Sequence, residues 1–268
     1  MSLVHNKLHF PMDLKVLHPL RQPDVINRCV AHQCSHICLP NNVSYQCSCP
    51  TGYNMNPDGH TCRDKPDTFL LFTRRNDIRW LCIECPEEAN IDVVLPLKDI
   101  NGVVSIDFDP ESSTIFWSDL TNKTINRGLW NGLSQNTIIS ASLESPSGLA
   151  VDWAARNLYW VDSGRNVIEV SRLDGTMRSL LVWQSLDQPR DIVLYPSSAL
   201  MFWSQWDKSN TKIERAGMDG SQRIVLHSTN LTYPHGLAID FNEKRLYWSD
   251  AGTQRIEFSE FGQNFDYL

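Results

Sequence analysis

Residues 148–171 read Gly148-Leu-Ala-Val-Asp152-Trp-Ala-Ala-Arg156-Asn-Leu-Tyr-Trp160-Val-Asp162-Ser-Gly-Arg165-Asn-Val-Ile168-Glu-Val-Ser171. Leu149 to Trp153 alternates apolar and polar, Ala154-Ala-Arg-Asn157 turns, and Leu158 to Val161 is apolar and aromatic. Ser163-Gly-Arg-Asn166 turns again, Val167 to Ser171 alternates, Asp174-Gly175 turns, and Ser179 to Trp183 closes the unit. Period-two alternation broken by short polar turns is the signature of strands joined as hairpins. The unit therefore holds four short strands.

The unit repeats. Four aromatic tetrads stand in register: Phe116-Trp-Ser-Asp119, Tyr159-Trp-Val-Asp162, Phe202-Trp-Ser-Gln205 and Tyr247-Trp-Ser-Asp250. Their tryptophans Trp117, Trp160, Trp203 and Trp248 are 43, 43 and 45 residues apart. A strand precedes each tetrad, an isoleucine (Ile125, Ile168, Ile213, Ile256) follows it, and a glycine turn comes next. Four-stranded sheets at this period are propeller blades, whereas solenoid units of this length are usually helical. The tetrad aromatics are read as packing between blades and the tetrad aspartate as a structural hydrogen-bond acceptor. Gln205 replaces that aspartate in the third repeat.

Upstream the composition changes. Six of the eight cysteines fall between Cys29 and Cys62, with spacing Cys29-x4-Cys34-x3-Cys38-x8-Cys47-x-Cys49-x12-Cys62. Such clustering points to a disulfide-stapled module and an oxidising compartment. Six cysteines allow fifteen pairings, and spacing alone does not choose among them. Zinc is disfavoured, despite His32, His36 and His60, because six cysteines clustered in one short stretch read first as a disulfide framework. Cys82 and Cys85 read as a local disulfide across a turn, or one bridge to a part not present, since Pro86 follows where a redox motif needs a helix. No stretch is apolar enough to span a bilayer, and residues 1–28 have no signal-peptide core. The expectation is a chain cut from a longer one. Asn42, Asn122 and Asn230 are candidate glycosylation acceptors. The formal net charge of −7 leaves no footprint for nucleic acid.

The tetrads resemble the YWTD repeats of the low-density-lipoprotein-receptor family, and the Cys-x-Cys step with the turns Pro50-Thr-Gly-Tyr53 and Pro57-Asp-Gly59 resembles an EGF-like domain. The EGF resemblance implies the pairing Cys29–Cys38, Cys34–Cys47 and Cys49–Cys62. Calcium is not expected there, because Asn27-Arg28 stand where calcium-binding modules carry acidic ligands. The runs Phe69–Arg79, Val151–Trp160 and Ile168–Arg178 are similar to receptor-related proteins that serve as Wnt co-receptors, and to kin that bind agrin. The segment Leu97–Pro110 leans to the Wnt co-receptor type, and Asp13–His18 looks like the last strand of a preceding propeller.

The resemblance implies an all-β chain: residues 1–28 as tail of a preceding propeller or linker, 29–62 as the EGF-like module, and 68–268 as four blades of a six-bladed propeller. That propeller is expected to be an incomplete, open arc, with Phe69 to Trp80 as a strand that would normally latch the final blade. It implies an extracellular region of a single-pass receptor binding Wnt, Wnt-inhibitor or agrin-like ligands, with a Frizzled-like or kinase co-receptor beside the parent. An endocytic lipoprotein-type receptor is an alternative. Loops meeting near the axis make a shallow bowl. Asn101, Ser147, Arg190 and His235 precede the inner strands and point there by position, and Arg75 resembles an arginine on that face in kin. Lys123 and Gly164 occupy places that are acidic in kin.

Catalysis is the rival. Some six-bladed propellers hydrolyse lactones with a central metal, but the inner-strand positions here are read as mainly apolar or small, without convergent carboxylates. No Gly-x-Ser-x-Gly elbow occurs. No catalytic residue, metal or cofactor is therefore expected.

Overall fold

The computed structural model describes residues 26–50, 53–63, 68–83, 92–207 and 211–261. The preceding-propeller tail, except residues 26–28, and Cys85 lie outside the described residues. The chain divides into two units, 1–67 and 68–268.

In the first unit, β1 (Ile37–Pro40) and β2 (Tyr45–Ser48) form an antiparallel hairpin. Disulfides join Cys29 to Cys38, Cys34 to Cys47 and Cys49 to Cys62, with Cα separations of 6.1, 5.3 and 5.7 Å. These lie within normal bridging geometry. Little apolar surface is buried here beyond Cys47 and Cys62, so the bridges supply the stability. Side chains close the turns: Asn41 accepts from the amides of Val43 and Ser44, and Asp58 from those of His60 and Thr61.

Among the described residues, the second unit is a series of five antiparallel sheets. The first holds β3 (Phe69–Arg74), β4 (Asp77–Cys82) and β5 (Val93–Val94). The second is β6 (Val103–Asp109), β7 (Thr114–Asp119), β8 (Thr124–Leu129) and β9 (Asn136–Ile139). The third is β10 (Pro146–Asp152), β11 (Asn157–Asp162), β12 (Val167–Arg172) and β13 (Ser179–Val182). The fourth is β14 (Pro189–Tyr195), β15 (Leu200–Gln205), β16 (Lys212–Gly217) and β17 (Ile224–His227). The fifth is β18 (Pro234–Asp240), β19 (Arg245–Asp250) and β20 (Arg255–Glu260).

The blade count corrects the sequence reading. Phe69 to Trp80 does not latch a final blade. It makes a hairpin of its own with a two-residue Arg75-Asn76 turn, and β5 completes a fifth sheet. The tetrad signal is missing there because Leu71-Phe-Thr-Arg74 fills its place. The match is fixed by Ile78, fully buried opposite Thr73 as Ile125 is opposite Ser118. Among the described residues, the first sheet also lacks the inner strand of the other four: β3 lies on β6 as β7 lies on β10, β11 on β14 and β15 on β18. Among the described residues, no strand pairing joins the fifth sheet back to the first.

Two interactions hold the series. Trp117, Trp160 and Trp203 are buried to 1% exposure or less, each contributing roughly 4–6 kcal/mol of gross apolar burial. The tetrad aspartates are also buried, and each gathers backbone amides. Asp162 accepts from Glu144 and Ser145 ahead of β10, and from Gly164 and Arg165 after β11. Asp250 repeats this with Thr232, Tyr233, Gly252 and Thr253. Burial alone raises the Asp250 carboxyl, but the four amides outweigh it and hold it below the ordinary value. Removing such an acceptor strands several buried donors, so Asp162→Ala is expected to cost about 3 kcal/mol in urea denaturation. A loss below ~1 kcal/mol would show that water replaces the carboxylate freely.

Candidate functional site

The inner strands β6, β10, β14 and β18 stand side by side. At the end where these strands begin lies a bowl of about 440 Å³, lined in part by Ser105, Ser147, Arg190, Asp191 and His235. A narrower channel of about 310 Å³ continues past Asp107, Asp191, Val151 and Ile239 to Trp153 and Phe241.

The tetrads position the bowl through the backbone. Ser118 donates to the carbonyl of Ser147, and Ser204 to that of His235. Ser147 in turn donates to the Pro189 carbonyl. Gly148 is required: a Cβ there would meet the Asp191 Cα at 2.6 Å.

Arg190 is the most distinctive group of the bowl. Its guanidinium stacks over Trp206 at 4.7 Å, and one amino group donates to Gln188. Its Nε is buried without a hydrogen-bond partner among the described residues. Burial lowers the Arg190 pKa. Burial likewise lowers His235, and the Arg190 charge lowers it further, so the imidazole is neutral at physiological pH.

Of the five residues placed here by sequence, Ser147, Arg190 and His235 share the bowl. Arg75 sits at the β3–β4 turn, where its carbonyl accepts from the Val103 amide at the start of β6, and its side chain is exposed. Asn101 is exposed beside Asp119, which accepts its amide. Neither lines the bowl. The candidate sugar acceptors Asn42, Asn122 and Asn230 are all exposed.

Sequence reasoning missed the carboxylates at the axis. Asp107 and Asp191 both line the channel, correcting the reading of that wall as merely apolar or small. The available signal was Asp191 standing where β10 and β18 carry Gly148 and Gly236. Their work is structural: Asp107 accepts from the Val151 amide and Asp191 from the Leu237 amide, tying each inner strand to a neighbour. Ser105 does the same for Leu149. Two carboxylates already engaged by amides are a poor donor set for a metal. Among the described residues, the one cluster of potential ligands is His32, Cys34 and Cys38, and both sulfurs there are in disulfides.

This geometry defines the class: a YWTD-type β-propeller arrangement, in a chain that also carries an EGF-like disulfide module. Residues 113–153 and 156–196 match the low-density lipoprotein receptor repeat class B, and residues 30–62 match the coagulation factor Xa inhibitory site. The low-density lipoprotein receptor-related protein 4 of Mus musculus and that of Homo sapiens are each 48% identical over 154 residues, 57% of this chain. The chain spans about 8% of the length of those relatives. A chain in the crystal structure of a nidogen/laminin complex is 34% identical with a TM-score of 0.67, covering 72% of this chain and 73% of that one. A gluconolactonase from Xanthomonas campestris, at 22% identity and a TM-score of 0.52 over 60% of this chain and 59% of that one, shares the fold alone. The chain is thus similar to low-density-lipoprotein-receptor-related proteins, in its class B repeats and in its disulfide module.

The axial carboxylates carry a test. Asp107 and Asp191 are pushed up to about 6, chiefly because the surrounding wall desolvates them. A carboxyl raised in the folded state destabilises above that value, and the cost is relieved as pH falls from about 6 toward 4. Asp191→Asn mimics the neutral form. It is expected to be more stable than the parent by ~1–3 kcal/mol at pH 7.5, with the gain shrinking below pH ~6 and vanishing below about pH 3.5. Urea midpoints across this range check it; a variant less stable at pH 7.5 would contradict the assignment.

Proposed function

We propose that the chain is part of the extracellular ligand-binding region of a cell-surface receptor, and that its axial bowl receives a loop of a secreted protein ligand in Wnt signalling. The observation that carries this reading is the Arg190 head group: partly desolvated, stacked on Trp206, and holding a buried unpartnered donor at the rim of a 440 Å³ bowl. Protein-binding hot spots favour such pre-positioned arginine and aromatic groups. Ser147 and neutral His235 add polar contacts of fixed direction. Similarity to receptor-related proteins supports binding over catalysis, and the axial carboxylates, taken up by backbone amides, support it too.

An agrin-type ligand is the second reading. It draws on the likeness of Val151–Trp160 and Ile168–Arg178 to agrin-binding kin. Surface binding of the immobilised chain to Wnt, Wnt-inhibitor and agrin-type ligands separates the two. Whichever ligand binds, Arg190→Ala is expected to weaken it by roughly tenfold or more, and His235→Ala by less. Absence of binding across the panel, or binding indifferent to Arg190→Ala, would overturn the assignment.

A further inference from the structure

The opposite ends of the same strands hold a larger cavity, of about 750 Å³, between the third and fourth sheets. Two small residues open it: Ala199, standing where Arg156 of the third sheet reaches back to Asp109, and Val170. In each sheet, the side chain paired with the first tetrad position lies on the face toward the next sheet, where one follows. The register makes these pairs Leu71–Trp80, Phe116–Arg127, Tyr159–Val170, Phe202–Arg215 and Tyr247–Phe258. Four of the five carry a large group. Val170 alone of these is small.

The neighbouring junction shows what a large group does there. Arg127 donates to the carbonyl of Leu173 in the next sheet and lies close enough to lower the Asp174 carboxyl, which Thr176 holds down first. Between the third and fourth sheets, the equivalents of Leu173 and Asp174 are Met218 and Asp219. Tyr159 donates its hydroxyl to the Met218 carbonyl, so that acceptor is satisfied without an arginine. Asp219 has Ser221 and its own backbone amide as its partners. Val170 leaves the volume of the arginine open. Asp152 and Asp219 both line it, as do the apolar Val170, Leu181, Leu200 and Met218. Arg172 also lines the cavity, but it is exposed and makes no ion pair among the described residues.

We propose that this cavity is a second binding site, on the face opposite the bowl, that takes an arginine side chain presented by an extended segment of a partner protein. The guanidinium reaches Asp219 and Asp152, as Arg127 reaches toward Asp174, and the aliphatic stem lies on Val170, Leu181 and Met218. The site is independent of the bowl.

The test uses the full chain on a sensor surface and two probes, acetyl-Ala-Leu-Arg-Leu-Ala-amide and the same peptide with neutral citrulline for arginine. The arginine peptide is expected to bind saturably, and the citrulline peptide roughly tenfold more weakly. Val170→Arg supplies an internal guanidinium and is expected to abolish binding. Asp219→Asn, on an exposed turn where folding is not at stake, is expected to weaken it by about fivefold. Arg190→Ala is expected to leave it unchanged. No saturable binding at about 5 mM peptide, equal binding of the two peptides, or binding undiminished in Asp219→Asn would each overturn the proposal.

Discussion

A buried carboxylate at the end of three of the four tetrad strands carries the second unit. Asp162 and Asp250 each accept four backbone amides, two from the segment leading into the inner strand and two from the turn after the tetrad. Those segments would otherwise be polar loops with unsatisfied donors. Pinning them fixes where each inner strand begins, and Ser147 and His235 stand at those beginnings. The bowl is thus pre-organised by residues that never touch it. Asp119 works with fewer partners, taking the amides of Asn101 and Asn122. Gln205 keeps the place in the fourth sheet with an uncharged amide, fully buried.

The second constraint is the junction between sheets. The isoleucines Ile125, Ile168 and Ile213 are fully buried, whereas their counterpart Ile256 is 78% exposed and Phe258 is 53% exposed. The apolar face of β20 is therefore bare. Among the described residues nothing pairs with the outer edge of β20, and an unpaired edge beside such a face favours association with other chains. A guanidinium or an aromatic ring fills each other junction, and a tyrosine hydroxyl with an open cavity stands at the third.

Much of this was legible in the sequence. The tetrad tryptophans and following isoleucines announce the repeat because the same inter-sheet pocket must be filled each time. The shared place of Ser147, Arg190 and His235 was legible because each follows the proline that opens its inner strand, whereas Asn101 stands two residues ahead of β6 and lies outside the bowl. The first sheet was not legible: Leu71-Phe-Thr-Arg74 satisfies the packing without tetrad residues, and its two-residue turn is shorter than the others. Asp107 and Asp191 were missed because a lone aspartate in an alternating strand reads as solvent-facing, while here it meets the free amides of a neighbouring inner strand. The cavity beside Val170 was equally hidden, since valine is an ordinary strand residue and its meaning appears once Arg127 and Arg215 are aligned with it.

The claim that tetrad carboxylates pre-organise the bowl is tested most directly by amide hydrogen exchange on the loops they hold. The amides of Glu144, Ser145, Thr232 and Tyr233 lie outside the strand ladders, yet each donates to Asp162 or Asp250. The account predicts that they exchange slowly, in step with the strand amides of β11 and β19. Exchange of these four amides at the rate of an open loop, while the strands stay protected, would contradict it.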